Sequence, residues 1–485
     1  MPSTAIVCKK SAPTLNRQHF ETSRSLDFLS KKELIAQTGH QVAEWPFVCL
    51  KELMDNALDA CEESGVAPVV SITVDEHGIT VADNGPGIPA KVIESVLNFS
   101  IRVSSREAYV SPDRGKQGNA LKTVVAMPFA LGGHGRVIVE ALGIRHEITV
   151  GVDRIRQEPK IDHLQSKSDI QSGTKITVEW QDLACLNSAG EKLRFLQKGE
   201  KGADSLVDQV ISLFFKQGEK GADSARLILD RSKSRFLQIA EDYCWLNPHL
   251  SLSITWGDEH SSILAWDLTW KKWIPSNPTD PAWYGVDELE RLIAANICRK
   301  DRLVREFVCE FRGLSGTAKQ KKVLDAVGMS RTMLSELVVD NEIDKTKVGK
   351  LLAAMQAETT PVKPQALGII GKDHLQARCS LAGGDPDSFN YKKILGETKG
   401  LPWVIETCFA YCPEEDRPRR IIPGVNWSPG IINPFRQLGQ RGESLDSILE
   451  QQRAGRDEPT ILVIHMACPK VSYSDRGKSS VIVEE

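Results

Sequence analysis

The chain has 485 residues, 41% hydrophobic and 26% charged. That is enough to bury a large core in about two to four domains, and it excludes a peptide, a coiled coil or a disordered tail. With 61 Lys+Arg against 64 Asp+Glu the formal charge is -3, so no global positive field draws the protein to nucleic acid or anionic lipid, and any DNA contact has to be a local patch. Eleven cysteines without a C-x-x-C pair read as reduced thiols of a cytoplasmic protein. Cys408 and Cys412 sit four apart, but with only His465 in view they lack a zinc ligand set. The N-terminal MPSTAIVCKKSAPT has no apolar core, and no apolar run is long enough to span a bilayer, so neither export nor membrane insertion is expected.

In chain order, residues 1–48 read as a polar N-terminal strap that ends at a turn-like Trp45-Pro46. Residues 49–240 alternate helix and strand: a helix over 50–63, β-rich runs at 69–74 and 78–88, and further strands at 136–142, 146–152 and 174–180. GEKGADS occurs at both 199–205 and 218–224, and RFLQ at both 194 and 235, which marks 190–238 as an insertion without chemistry. Residues 241–286 read as the start of a transducer or as a connector. Residues 287–358 read as consecutive short helices, including SRTMLSELVV, and TTPVKPQALG (359–368) closes that block with two prolines. Residues 359–485 hold a second β-containing region, with its clearest strands at 402–411 and 460–468. The expected class is α+β, with an α/β sandwich first.

Four segments carry chemistry. On LKELMDNALDAC, Leu50, Leu53, Met54, Ala57, Leu58 and Cys61 form one apolar stripe, while Glu52, Asn56 and Asp59 share another face. A carboxylate and an amide one turn apart suit a general base beside a magnesium ligand. In ADNGPGI a strand runs into Asp83, an acceptor for an exocyclic amine, and Gly85 and Gly87 let the backbone turn close to a flat ligand. RGKQGNALK sets Gly115 and Gly118 before a helical run, with Lys116 between them, a geometry in which backbone N–H groups bind phosphate. In SGTKITVEW, Gly173-Thr174 opens a strand and could turn a hydroxyl toward the same ligand.

In this order and spacing, KELMDNALDA, DNGPGI, GKQG and SGT resemble the four nucleotide-binding motifs of the GHKL ATPases, the group that includes gyrase, a heat-shock chaperone, histidine kinases and MutL. The resemblance implies ATP and Mg2+ as ligands. Glu52 would be the base polarising the attacking water, Asn56 the magnesium ligand with Asp59 beside it, and Asp83 the adenine reader. Gly85 and Gly87 would lie along the nucleotide, and Thr174 would back the adenine. Gly115, Lys116, Gln117, Gly118 and Asn119 would form the phosphate lid, although Ala120 stands where the family's lid has a further glycine.

Beyond that module the chain is similar to the B subunit of DNA topoisomerase VI, a type IIB enzyme. LNPHLSLSI (246–254) fits that subunit, and LVREFVCEFRGLSGTAKQKKVL (303–324) resembles its helix-two-turns-helix insert. GVNWSPGIINPF (424–435) and ILVIHMACPKVSYSDRGKSSV (461–481) are similar to its transducer, with Lys478 as the candidate switch lysine that reaches the γ-phosphate. The expected architecture is therefore a GHKL-type sandwich, a helical insert and a transducer-like α/β domain. That last domain is expected to be short at its C-terminus, because Glu485 follows Lys478 by only seven residues.

The implied function is an ATPase that dimerises on ATP binding and couples hydrolysis to capture or passage of duplex DNA, with a separate Toprim-type subunit doing the cleavage. Arg299, Lys300, Arg302, Arg305 and Lys319 to Lys322 are the candidate phosphate contacts. Asp385-Pro386-Asp387 reads as a plain loop and supplies no cleavage centre. The alternative is a stand-alone GHKL switch or clamp that recruits another effector. A histidine kinase is disfavoured, because only His19 and His40 precede the first motif, in a segment too short for a dimerising helical pair.

Overall fold

The β-branched runs of the first half of the chain pair into one eight-stranded sheet. Its strands are β1 (Val69–Val74), β2 (Gly78–Ala82), β3 (Gly135–Ala141), β4 (Ile144–Asp153), β5 (Glu158–Lys167), β6 (Thr174–Glu179), β7 (Ser251–Trp256) and β8 (Glu259–Ile263), in the order β5-β4-β3-β6-β2-β1-β7-β8. All neighbours are antiparallel except β1 and β7, which run parallel in the register Val69↔Ser251 to Val74↔Trp256. These are features of a computed structural model that describes residues 29–97, 108–114, 120–132, 135–153, 155–156, 158–180, 225–413, 418–436, 443–474 and 480–482. The strap up to residue 28, the lid segment 115–119, residues 181–224 and Lys478 lie outside the described residues.

Helices α1 (Lys31–Thr38), α2 (Trp45–Glu63), α3 (Ala90–Val96), α4 (Ala120–Ala130) and α5 (Ala225–Leu246) accompany this sheet. The apolar stripe of α2 is buried as its spacing requires: Leu50, Met54, Leu58 and Cys61 have no exposed surface. Leu50, Met54 and Leu58 share a core with Val70, Ile72, Val137, Val139 and Val178 from the sheet and with Phe236 and Tyr243 from α5. Two expected boundaries fall inside helices. Pro46 lies in the first turn of α2, where its missing N–H costs nothing, so the division at 48/49 cuts that helix. The division at 240/241 cuts α5, and the end of the expected insertion, residues 225–238, belongs to that helix with Phe236 in the core. β5, with its polar sequence EPKIDHLQSK, was not expected as a strand; it is an edge strand paired along its length with β4.

Next come α6 (Val286–Arg299), α7 (Val304–Val308), α8 (Thr317–Val327) and α9 (Lys345–Ala357). SRTMLSELVV, read as a helix, instead forms a single 3₁₀ turn at Leu334–Leu337 and the hairpin β9 (Val338–Val339) to β10 (Glu342–Ile343). Asp340 and Asn341 both have positive φ, the two-residue hairpin turn that suits the flanking strand twist and ends helical propagation after the Val-Val pair. After α10 (Lys372–Leu381), a second sheet is built from β11 (Asn390–Thr398), β12 (Leu401–Tyr411), β13 (Arg420–Val425), β14 (Ser428–Pro429) and β15 (Thr460–Ala467), with α11 (Leu445–Gln451) preceding its last strand. The strand order is β11-β12-β15-β13-β14, with β13 parallel to β15 and the others antiparallel. Cys408 lies 3.9 Å from Cys379, sulfur to sulfur, and His465 accepts a hydrogen bond from the Trp427 N–H, so the Cys408, Cys412 and His465 side chains do not converge. Among the described residues no helix is long and apolar enough to cross a membrane, and no group of three or more His, Cys, Asp or Glu side chains is arranged to hold a metal.

Candidate functional site

Two of the four motifs are fastened directly to each other. The Asp83 N–H donates to the Thr174 carbonyl (2.9 Å), and an Asp83 carboxylate oxygen accepts from the N–H groups of Gly85 (2.8 Å) and Thr174 (3.2 Å), residues 91 apart in sequence in the second case. The Gly173 N–H closes the pair by donating to the Gly85 carbonyl (2.8 Å). This close approach explains two of the glycines. Gly173 has φ +79°, and a Cβ there would lie 2.0 Å from the Asp83 carbonyl oxygen; Gly87 has φ +85°, and a Cβ would press on Leu142 at 2.9 Å. Burial raises the Asp83 carboxyl above its usual range, against the lowering effect of the two N–H donors. Asn84 ties the turn to the C-terminal end of α2: its side chain accepts from the Val69 N–H (2.8 Å) and the Cys61 thiol (3.3 Å) and donates to the Ala67 carbonyl (3.1 Å).

On α2, Glu52 is partly exposed and Asn56 exposed, so both reach the open side of the helix. Their carboxylate and amide oxygens, one turn apart, are donors of the kind a hard cation such as magnesium accepts. Asp59 is placed differently from its two companions. It is 2% exposed and bonded to the Arg114 guanidinium at 2.6 Å, so it is covered by protein.

Arg114 is the last described residue before segment 115–119, and the sequence offered no reason to single it out. Its guanidinium donates to Asp59, to both carboxylate oxygens of Glu62 and to the Asn247 side-chain oxygen, each at 2.6 Å. Glu62 also receives Lys272 (2.8 Å) and His249 (3.1 Å). Burial works against the Glu62 carboxylate, but the charges of Arg114 and Lys272 overcome it and hold the carboxyl well below its ordinary range. Burial lowers His249, consistent with a neutral ring in this cluster. The root of segment 115–119 is therefore anchored one to two turns along α2 from Asn56.

A second cluster sits one turn back along the same face of α2. Asp55 is buried and accepts from the Tyr243 hydroxyl (2.7 Å), the Ser428 hydroxyl (2.7 and 2.9 Å) and Lys51 (3.1 Å), and Lys51 also bonds Ser428. Burial raises its carboxyl, but Lys51, Arg114 and the two hydroxyls bring it below its ordinary value. Lys478 lies outside the described residues, yet residues flanking it in sequence do not: Tyr473 bridges Val481, and the Ser474 N–H donates to the Ser480 carbonyl at 3.0 Å. Burial raises the Tyr473 phenol, and the negative charge of Asp55 raises it further, so Tyr473 lies within electrostatic reach of α2.

Residues 42–184, which contain motifs one to four, match the family described as histidine kinase-, DNA gyrase B-, and HSP90-like ATPase. The chain is 29% identical over 173 residues to the B subunit of type 2 DNA topoisomerase 6 from Archaeoglobus fulgidus, covering 34% of this chain and 28% of that protein. It is 31% identical over 148 residues to the Thermococcus sibiricus protein of the same name, covering 29% of this chain and 26% of that one. The matched segment thus spans about a quarter of the length of these relatives. Among solved structures, the ATPase region of Saccharomyces cerevisiae topoisomerase II aligns over 90% of this chain and 77% of that one at 13% identity and a TM-score of 0.35, a likeness too distant to add to the sequence match. Over residues 42–184 the chain thus matches the histidine kinase-, DNA gyrase B- and HSP90-like ATPase family, and it is similar to the B subunits of topoisomerase VI.

Proposed function

We infer that the chain binds ATP with Mg2+ between α2 and the joined turns at Asp83 and Gly173, and hydrolyses it as the ATPase subunit of a type IIB topoisomerase-like assembly. The observation that carries this reading is the fastening of Asp83 to Thr174 beside the helix that presents Glu52 and Asn56. In this reading Asp83 accepts the adenine amine, Thr174 backs the ring, and Gly85 and Gly87 let the backbone lie against it. The N–H groups of Gly115 to Asn119 and the Lys116 ammonium close over the phosphates. Asn56 would hold magnesium, which would supply charge neutralisation at the phosphates. Glu52 orients the attacking water and takes its proton, while Asp59 acts from behind by holding Arg114 at the root of the lid. Lys478 would contact the γ-phosphate. ATP would close a homodimer, and the assembly would capture or pass duplex DNA with a separate Toprim-type cleaving subunit. The exposed Lys319 and Lys321 of α8 are the DNA contacts this reading favours, with Lys322, which pairs with Glu358 at 3.6 Å, beside them, whereas Arg302 is engaged by Glu310 and Asn296 and has less charge to offer.

Sedimentation with and without a nonhydrolysable ATP analogue tests the core of the reading, and a monomer under both conditions rejects ATP-driven pairing. In Asp83→Asn the new amide presents N–H groups to the donors that the carboxylate accepted from, or to the adenine amine. Loss of a charge-assisted hydrogen bond of about 1.5–3 kcal/mol should weaken ATP binding roughly ten- to hundredfold by calorimetry. Lys478→Ala should slow steady-state ATP turnover by roughly a hundredfold, the scale of losing one aligned donor to a transferring phosphoryl group, and a normal rate would remove Lys478 from the site. Trapping Glu52→Ala with ATP in its native host separates the two functional readings. A co-purifying Toprim protein with a catalytic tyrosine supports the topoisomerase, and a closed dimer without one supports a stand-alone switch.

A further inference from the structure

The hairpin turn between β13 and β14 has an unusual conformation. Asn426 (φ +50°) and Trp427 (φ +63°) occupy its two central positions, where a glycine would ordinarily take the second, and Trp427 is fully buried. A bulky residue at positive φ persists only where its surroundings over-determine it. The surroundings here hold its backbone and the face of its ring. The Trp427 N–H donates to His465 Nε2 (3.2 Å), its carbonyl accepts from Asn247 Nδ2 (2.9 Å), and Lys272 stands 4.8 Å from the centre of its ring. Asn426 accepts from the Cys468 N–H (2.9 Å) and donates to the Asp113 carbonyl (3.3 Å).

These contacts form two arms that meet the candidate site from one point. In the first, the Ser428 hydroxyl donates to Asp55 on α2, which lies between Glu52 and Asn56 in sequence. The second runs through Asn426 to Asp113, and through Trp427 and Asn247 to Arg114, the two residues that immediately precede segment 115–119. We propose that the Asn426–Trp427–Ser428 turn is a positioning element by which the second sheet sets α2 and the root of the lid relative to each other, and so governs ATP hydrolysis at the site. The inference rests on the ATP-site reading. Because the turn is rigid, a shift of the second sheet would move both walls of the site together. Loss of either arm would leave the nucleotide bound but its γ-phosphate and attacking water misaligned.

The experiment compares Ser428→Ala, Asn426→Ala, Asp55→Asn and the Ser428→Ala/Asp55→Asn double variant with the unmodified full chain. It measures affinity for a nonhydrolysable ATP analogue, binding stoichiometry, kcat and thermal unfolding. The expected result is a kcat about tenfold or more lower in Ser428→Ala and Asn426→Ala, with affinity within about threefold of the parent and full stoichiometry. The Ser428/Asp55 double variant should be no slower than the worse single variant, because both changes break the same arm. A purely structural role would instead lower the melting temperature and the stoichiometry while kcat per bound nucleotide stayed at the parent value, and that outcome overturns the proposal. Unchanged kcat in well-folded variants, with an active parent, also overturns it and leaves the ATP-site reading standing. A parent that neither binds nor hydrolyses ATP rejects that reading, and the positioning role falls with it.

Discussion

Replacing Glu52 by glutamine is expected to slow ATP hydrolysis by roughly 10²–10⁴-fold, the range over which a positioned general base contributes, while nucleotide binding stays near the parent value. Glutamine keeps the length of the side chain and its hydrogen-bonding reach, so it can still touch water but cannot take a proton. Glu52 sits partly exposed on α2, one turn before the exposed Asn56 and away from the helix's buried stripe. The substitution should therefore leave stability nearly unchanged. Single-turnover hydrolysis alongside calorimetric ATP binding checks it. Undiminished hydrolysis in Glu52→Gln would move the base to another residue, whereas lost binding would mean that Glu52 supports the nucleotide directly.

Arg114→Ala should cost the fold about 3–5 kcal/mol, because it strands Asp59 and Glu62 as buried carboxylates without their guanidinium partner. Against a typical total of about 5–15 kcal/mol, that loss brings the protein close to unfolding, and chemical denaturation will register it as a lower midpoint. The pH dependence has a definite sign. The Glu62 carboxyl lies well below its ordinary value when folded, so its contribution is fully present above the unfolded value and is lost as pH falls through the folded one. In Arg114→Ala the attraction of Arg114 that lowers Glu62 is gone, and Lys272 and His249 are left to hold it. The acid limb of the stability profile should shift to higher pH. Equal stability of parent and variant from neutral to acid pH would show that the cluster contributes nothing to the folded state.

The two clusters also show where sequence and structure divide the work. The four motifs were legible because each chemical task demands a residue type at a local spacing: a carboxylate and an amide one helical turn apart, a strand running into Asp-Asn-Gly, glycines where backbones nearly touch. The strands at 69–74, 174–180, 402–411 and 460–468 were legible from β-branched runs for the same reason, since alternation and propensity are local. The edge strand β5 and the hairpin at 338–343 were not. Pairing with β4 supplies what the sequence of β5 lacks, and two positive-φ residues override an apolar spacing that reads as helix.

By itself, then, the sequence determined the identity and order of the candidate nucleotide-binding motifs and the apolar stripe that seats α2 against the sheet. Only the tertiary structure decided that Asp59 turns away to Arg114, that Glu62, Asn247, His249 and Lys272 join it, and that Ser428 reaches Asp55 across 373 residues of chain. The physical reason is that a buried charge is tolerable only with partners, and those partners come from whichever elements the packing brings near. Local spacing carries no record of that choice.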